Sequence, residues 1–276
     1  MQGSSRIPVA ITIATSDSGG GAGTQADLKA FARCGVHGTS AIVALTAQNT
    51  REVISVEAIP KQMILDQIRA VASDLAVDAV KIGMLFDQPT IEAVAEGLRE
   101  VGEAPIVVDP VMVAESGAVL LDPGAKQALI DLILARAAVA TPNLSEAREL
   151  SGLGESATPE ELARAVRELG PRAAVVTGGH TAEGADVFFD GETLESIDGP
   201  RHPDGASHGS GCTHSSALAA HLAHGYEPLA AARAARAIAA EAVGNGLREL
   251  GRGSGPVDAL GIRARAQELD ERRERQ

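Results

Sequence analysis

Cysteine and long apolar runs are scarce in this sequence. Only Cys34 and Cys212 occur among its 276 residues, too few for the disulfide framework of a small secreted protein, which predicts a reducing, cytoplasmic setting. No apolar run reaches the roughly 18 residues that a membrane-spanning helix needs. Residues 1–6 also lack the basic and apolar regions of a signal peptide. Neither secretion nor a membrane partner is therefore expected.

Positive charge is also scarce, because 24 Lys and Arg stand against 37 Asp and Glu, for a formal net charge of −13. Such a surface repels nucleic acid and anionic membranes, so neither is an expected partner. Only four of the cations are lysines. An acidic, lysine-poor protein suits high salt, where self-repulsion is screened. A merely acidic protein from a GC-rich genome, which also favours Arg, is the alternative.

The remaining composition is that of a protein with a large buried core. Hydrophobic residues make up 45% of the chain, and the mean hydropathy is +0.05. Short β-branched runs typical of buried strands alternate with amphipathic helical stretches, without a repeat, linker or composition break. The pattern predicts an α/β fold in one domain, residues 1–276, with 1–6 and 263–276 as ends outside its packed body.

The most informative stretch is glycine-rich and spans residues 208–216, His-Gly-Ser-Gly-Cys-Thr-His-Ser-Ser. It opens a predicted helix, whose first amides lie unpaired at the positive end of the helix dipole and attract a phosphate or an oxyanion. The amides of Gly209 to Gly211 are the candidate donors. A tight turn before an ordinary packed helix is the alternative.

Acidic and amide side chains follow two later strands. Asp109 ends the apolar run 105–108, and Asn143 and Glu146 follow the strand Ala137 to Ala140. Ligands of open α/β sheets bind outside the carboxyl ends of the strands. Mg²⁺ is usually held by one or two carboxylates together with substrate phosphates, a role that suits these residues. For Asn143 and Glu146 the alternative is a helix N-cap with its capping-box partner.

Six blocks of the sequence, taken in order, resemble the hydroxymethylpyrimidine/phosphomethylpyrimidine kinases of thiamine synthesis, members of the ribokinase-like superfamily. The resemblance runs from about Val9 to about Val257, and its blocks are residues 16–29, 46–50, 81–84, 109–112, 141–147 and 208–216. It implies a ribokinase-like three-layer α/β/α sandwich with a mostly parallel central sheet. It also implies a homodimeric kinase that uses ATP and Mg²⁺ to phosphorylate 4-amino-5-hydroxymethyl-2-methylpyrimidine and its monophosphate.

The resemblance assigns one group of residues to the pyrimidine: Thr15, Asp27, Gln48, Met84 and Val111. A Gln amide offers both donors and an acceptor, so Gln48 can match the ring nitrogen and amino group of an aminopyrimidine, or else satisfy loop backbone. Met84 suits an adaptable apolar wall, although buried Met is usually core. For Asp27 the alternative is a carboxylate in the first turn of a helix.

The resemblance assigns a second group to ATP and Mg²⁺: Asn143, Thr177, Ser210 and Thr213 to the nucleotide, and Asp109 and Glu146 to the metal. Cys212 is the predicted general base toward the substrate CH₂–OH, because a helix N-terminus lowers the pKa of a thiol. The amides of Gly209 and Gly211 would neutralise charge on the transferring phosphate. A small buried cysteine is the alternative reading of Cys212.

Two residues depart from the family pattern. Thr177 stands where members typically carry a Lys that would neutralise phosphate charge, and Thr15 stands where they usually have Gly beside the substrate. These changes leave two alternatives open. One is a pyridoxal-type vitamin kinase, and the other is a pyrimidine-binding relative with impaired catalysis.

Overall fold

The computed structural model describes residues 6–114, 117–178 and 184–275, so residues 1–5 of the predicted end segment 1–6, and Gln276 of the segment 263–276, lie outside the described residues. Within them, one central sheet holds these strands: β1 Val9–Asp17, β2 His37–Gln48, β3 Val53–Ala58, β4 Ala79–Ile82, β5 Ile106–Val108, β6 Val139–Ala140, β7 Ala173–Val176, β8 Asp186–Phe189 and β9 Leu194–Ile197.

The sheet is mostly parallel, as predicted. Its strand order is β3-β2-β1-β4-β5-β6-β7-β8-β9. The run from β2 to β7 is parallel, whereas β3 at one edge and β8 and β9 at the other are antiparallel. Parallel neighbours require crossover connections, and the helices between the strands supply them.

The helices follow the predicted amphipathic segments closely. They are α1 Gly23–Arg33, α2 Lys61–Ala72, α3 Gln88–Gly97, α4 Lys126–Ala128, α5 Leu144–Ser151, α6 Pro159–Glu168, α7 Ser210–Ala223, α8 Pro228–Gly244 and α9 Ile262–Glu274. Short turns of other helical types flank α4: 3₁₀ at Pro123–Ala125 and Leu134–Arg136, and π at Leu129–Ile133.

Helices cover both faces of the sheet, which confirms the three-layer sandwich. One buried cluster joins the sheet to α2, α3, α5 and α6, and a second joins it to α1, α7 and α8. Strand β1 contributes to both, because side chains alternate across a strand: Ile11 and Ile13 pack in the first cluster and Ala10 in the second. The central strands are therefore mostly apolar on both faces.

Local sequence signals set several element ends. Thr158 and Glu161 form a capping box that begins α6, as Ser/Thr-x-x-Glu patterns do. Asp190 and Gly191 form the turn of a hairpin, as Asp-Gly pairs commonly do: β8 and β9 pair antiparallel, and the Asp190 carboxylate accepts the amides of Glu192 and Thr193.

The carboxyl-terminal segment is the helix α9, none of whose side chains is buried. At the other end of the described chain, Arg6 pairs with Asp78. Among the residues that the structure describes, no helix combines the length and the apolar character needed to cross a bilayer.

Candidate active site

A cavity of about 580 Å³ opens where the parallel strands end. The strand–helix alternation brings the loops after β1, β4, β5, β6 and β7 to this edge of the sheet, where ligands of such folds bind. All the predicted site residues except Asp27 and Thr213 line the cavity: Thr15, Gln48, Met84, Asp109, Val111, Asn143, Glu146, Thr177, Gly209, Ser210, Gly211 and Cys212.

The glycine-rich stretch begins α7 as predicted. Gly209 is the N-cap residue, with φ of 84°, and a Cβ there would lie 1.8 Å from the carbonyl oxygen of Gly21; both observations require glycine. Of the predicted donors Gly209 to Gly211, the Ser210 amide is already bonded to the Ser207 carbonyl at 2.9 Å, whereas the amides of Gly209, Gly211 and Cys212 donate to no described backbone carbonyl. Unpaired first-turn amides at the edge of a cavity suit an anionic ligand.

Asp17 connects this turn to a second glycine-rich loop, residues 18–22, which lies between β1 and α1. Its carboxylate accepts the amides of Gly19, Gly21 and Ala22 at 2.7, 2.9 and 2.8 Å, and Oδ2 lies 3.1 Å from Nε2 of His208. Burial alone would raise the pKa of Asp17, but the contact with His208 and the amide bonds outweigh it and lower the pKa. The carboxylate therefore organises both loops at once.

Lys81 is the central cation of the cavity floor, a role that was not predicted from the sequence. Its ammonium lies 2.8 Å from Asp27 and 3.8 Å from Asp109. Burial alone would lower the pKa of Lys81, but Asp27, Cys212 and Asp109 outweigh it and hold the pKa above its ordinary value. A lone lysine in an apolar strand is the signal that could have revealed it, since a buried charge needs partners.

Cys212 lies where the sequence predicted, but its ionisation is the reverse of the prediction. Burial raises the pKa of the thiol to about 12, and Asp27 and Asp109 add to this, against lowering effects of Lys81 and the Gly23 amide. The helix N-terminus does not overcome desolvation by the surrounding protein. In this state Cys212 is a thiol.

Asp109 and Glu146 are buried carboxylates in the same wall. Burial raises the pKa of Glu146 to about 8, with a further contribution from the charge of Asp109. Burial also raises the pKa of Asp109, which Lys81 and the hydroxyl of Ser215 partly offset. Two carboxylates that disfavour each other's charge bind a cation readily.

The capping box predicted as the alternative for Asn143 and Glu146 is present. The Asn143 side chain accepts the Glu146 amide at 3.0 Å, and the Glu146 carboxylate accepts the Asn143 amide at 2.9 Å. Both residues nevertheless line the cavity. The cap fixes the orientation of Glu146 without removing it from the site.

Four residues assigned to the pyrimidine line the cavity, and we call the part of the lining that they form the substrate lobe: Thr15, Gln48, Met84 and Val111. The Thr46 hydroxyl, in the same strand, donates to the side-chain oxygen Oε1 of Gln48 at 3.1 Å. The hydroxyl of Thr15 donates to the Met84 carbonyl at 3.1 Å. This lobe is mixed apolar and polar, as binding of a small heterocycle requires.

Two predicted positions are corrected. Asp27 does not face the cavity: its side chain is fully buried beneath the floor and bonds Thr12, Lys81 and Ser216, because the rotation of α1 points it at β1 and β4. Thr213 is fully buried as well and lies outside the lining, because it follows Cys212 on the inner face of α7.

The other lobe, here named the nucleotide lobe, extends past Thr177 toward α8. Arg236 lines it, 8% exposed, and donates to the Gly184 carbonyl at 2.7 Å. Asp186 and His214 lie beside it, with His214 Nε2 3.2 Å from Asp186 Oδ2. This cluster could not be predicted from the sequence, since its members are far apart in the chain.

The described side chains include no group of three or more His, Cys, Asp or Glu arranged to hold a metal. Asp109 and Glu146 are only two carboxylates. That number still fits Mg²⁺, which commonly takes one or two protein carboxylates and completes its shell with water and phosphate oxygens.

The chain is a kinase of the ribokinase-like type, since its fold matches a pyridoxal kinase from Staphylococcus aureus solved in complex with AMP-PCP and pyridoxal. That match has a TM-score of 0.83 and 32% identity, and it covers 92% of this chain and 94% of that chain. More narrowly, the chain belongs to the phosphomethylpyrimidine kinase family, whose model, described as "Phosphomethylpyrimidine kinase", matches residues 17–258.

Two further relatives support the assignment. A hydroxymethylpyrimidine/phosphomethylpyrimidine kinase of Rhizobium meliloti (strain 1021) is 48% identical over 255 residues, which cover 90% of this chain and 96% of the relative. The crystal structure of a phosphomethylpyrimidine kinase from Clostridium difficile 630 matches with a TM-score of 0.73 and 37% identity, covering 84% of this chain and 96% of that one.

Proposed function

We propose that the chain transfers the γ-phosphate of ATP to the hydroxymethyl group of 4-amino-5-hydroxymethyl-2-methylpyrimidine, and then phosphorylates the monophosphate, on the route to thiamine diphosphate. The observation that carries the proposal is the continuity of the cavity. Gln48 lies in one lobe and Arg236 in the other, with Cys212 and the amino terminus of α7 also in its lining.

In the first transfer, the substrate hydroxyl oxygen forms a bond to the γ-phosphorus, and the bond from that phosphorus to the β,γ-bridging oxygen breaks. ADP leaves with the electron pair of the broken bond. The unpaired amides of Gly211 and Cys212 stabilise charge on the transferring oxygens. Beyond its own helix backbone and chain neighbours, a Cβ at Gly211 would meet no described atom within 4 Å, so the space beside this amide is open to a ligand.

Cys212 first releases its own proton to solvent, and the thiolate then accepts the proton of the substrate hydroxyl. Because its pKa is raised to about 12, the thiolate is scarce at neutral pH and is a strong base when it forms. Phosphoryl transfer proceeds through a loose transition state in which the bond to the nucleophile is weakly formed, so a strongly activated nucleophile is not required. The catalysis therefore depends more on alignment than on an abundant thiolate, and Lys81 favours the thiolate electrostatically.

Mg²⁺ fits the paired carboxylates of Asp109 and Glu146, which would hold it. When bound, it neutralises charge on the phosphates and orients them. Asn143 holds Glu146 in place through the capping box, and Ser215 orients Asp109 by a hydrogen bond of 3.0 Å.

Arg236 replaces the cation that is missing at Thr177. Its guanidinium is always charged, and it lines the nucleotide lobe together with Thr177 and Ser210. This argues against a relative that binds the pyrimidine without catalysis, because the lobe retains a cation for phosphates. Mutation of Arg236→Gln is expected to raise the KM for ATP more than the KM for the pyrimidine.

We also propose a single domain that forms a homodimer in the cytoplasm and works at elevated salt. Support comes from the family resemblance, from the two free cysteines and from the net charge of −13. Light scattering gives the oligomeric state. Folding and activity measured across a salt series test the salt requirement, and full activity without added salt would remove it.

The test of function is ADP release with Mg²⁺ and ATP, offering hydroxymethylpyrimidine, its monophosphate and pyridoxal separately. Turnover of both pyrimidines above pyridoxal is the expected result. Preference for pyridoxal, the ligand named for the S. aureus enzyme, would replace the proposal with a vitamin B6 kinase. Binding of a pyrimidine without turnover of any substrate would leave a non-catalytic relative.

A further inference from the structure

We propose that Thr15 determines substrate specificity: its side chain narrows the substrate lobe, so that a ring with three substituents is accepted and a pyridine ring with four, such as pyridoxal, is disfavoured. This rests on the proposed function. It assigns to Thr15 a role in selection that the resemblance does not supply, because family members usually have Gly at this place.

A backbone irregularity sets the position of Thr15. The register of β1 on β2 shifts between Ala14, which pairs with Ile42, and Ser16, which pairs with Leu45, so Thr15 alone lies opposite two residues of β2. The extra residue therefore belongs to β2, and its bulge disrupts the regular pairing of β1 at Thr15. Thr15 is 4% exposed and lines the cavity.

The backbone of Gly23 packs closely against β1 at Thr15. Gly23 forms an antiparallel bridge with Ser16, and a Cβ on Gly23 would lie 2.4 Å from the carbonyl oxygen of Thr15. The Gly23 amide also contacts the thiol of Cys212. Gly23 therefore contacts both Thr15 and the proposed proton acceptor, Cys212.

The hydroxyl of Thr15 is occupied by the cavity wall. It donates to the Met84 carbonyl at 3.1 Å, which fixes the side-chain rotamer and ties β1 to the loop after β4. The methyl group is then the part of the side chain that is left to fill space beside Met84. Since the hydroxyl is already bonded, Thr15 acts on the ligand through its bulk.

The two candidate substrates differ in the number of substituents on the ring. Both carry a hydroxymethyl and a methyl group, but pyridoxal has two further substituents, a hydroxyl and an aldehyde, where hydroxymethylpyrimidine has one amino group. One methyl-sized difference in a closely fitting pocket discriminates by roughly 10-fold or more. Loss of the Thr15 methyl is expected to relax the preference by about this factor.

The experiment measures the ratio of kcat/KM for hydroxymethylpyrimidine to that for pyridoxal in wild type, Thr15→Gly, Thr15→Ser and Thr15→Val. The Gly and Ser variants are expected to lower the ratio by roughly 10-fold, Ser while keeping the bond to Met84. The Val variant retains the bulk and is expected to keep the wild-type ratio. Thr39→Ser is the matched control, because the Thr39 hydroxyl donates to the Ala10 carbonyl in the same sheet outside the cavity lining.

An unchanged kcat/KM ratio in both the Gly and Ser variants would overturn the proposal. A Val variant whose ratio is as low as that of the Gly variant would also overturn it, because selection would then depend on the bond with Met84. Calorimetric affinities of the two ligands give the same ratio without turnover. If wild type turns over neither ring, the proposed function fails while the binding ratio still decides the role of Thr15. Thermal unfolding of each variant verifies that it is folded.

Discussion

Lys81 and Asp27 form an ion pair in which both side chains are fully buried, with Nζ 2.8 Å from Oδ1. The carboxylate is held further by hydroxyls of Thr12 and Ser216, so that Lys81 is fixed beneath the cavity. From there its charge acts on Asp109 and Cys212. The pair therefore contributes both to the stability of the sheet and to the electrostatics of the candidate active site.

Mutation Lys81→Met is expected to destabilise the protein by about 3–5 kcal/mol, because it leaves the Asp27 charge buried without a partner. Urea denaturation measures the loss. The matched control is Lys126→Met, which removes an exposed pair with Glu149 and is expected to cost less than about 1 kcal/mol. Equal losses in the two variants would contradict the account.

Mutation Asp17→Asn is expected to destabilise the protein at neutral pH, because the carboxylate joins two loops. The pKa of Asp17 is lowered from its ordinary value of 3.8, so its charged form stabilises the fold above that pH. This contribution is lost as pH falls through the lowered pKa in the folded protein. The difference in unfolding free energy between wild type and variant, measured at pH values from 7 downward, should therefore shrink in acid. A difference independent of pH would refute this.

Mutation Glu146→Gln tests the raised pKa of that carboxyl. The unfolded chain loses the proton near 4.5 and the folded protein near 8, so wild-type stability without ligand should fall as pH rises through this range. Gln keeps the capping box but never ionises. Thermal unfolding from pH 5 to 8 is expected to show a steeper decline in wild type than in the variant. Parallel curves would be inconsistent with the burial of this carboxylate.

Mutation Cys212→Ala is expected to lower kcat by about 10²-fold or more, the usual range for a general base, with little change in the KM of either substrate. Cys34→Ala is the matched control: burial raises the pKa of that thiol to about 11, but it lies outside the cavity lining. An unaltered kcat in Cys212→Ala, measured by steady-state kinetics, would remove Cys212 from the mechanism.

The sequence was most informative where structure depends on local pattern. Short β-branched runs such as 106–108 and capped helices such as α6 follow from periodicity and end signals. The glycine turn before α7 and the residue types around the cavity were likewise predictable, because strands that alternate with helices bring their carboxyl ends together.

What the sequence could not supply depends on contacts between distant residues. Lys81 and Asp27 are far apart in the chain, and no spacing rule joins them. The orientation of Asp27 and Thr213 depends on how α1 and α7 are rotated against the sheet. The pKa of Cys212 was predicted from the local helix dipole, whereas burial among three elements decides it.

The most direct test of the central claim is the identity of the product. ATP labelled in its γ-phosphate is incubated with Mg²⁺ and hydroxymethylpyrimidine, and the products are separated and analysed by mass spectrometry. The account predicts that the label appears on the hydroxymethyl oxygen in amounts equal to the ADP formed, followed by a second labelled phosphate. Label found only as inorganic phosphate, or only on pyridoxal when both rings are offered, would contradict it.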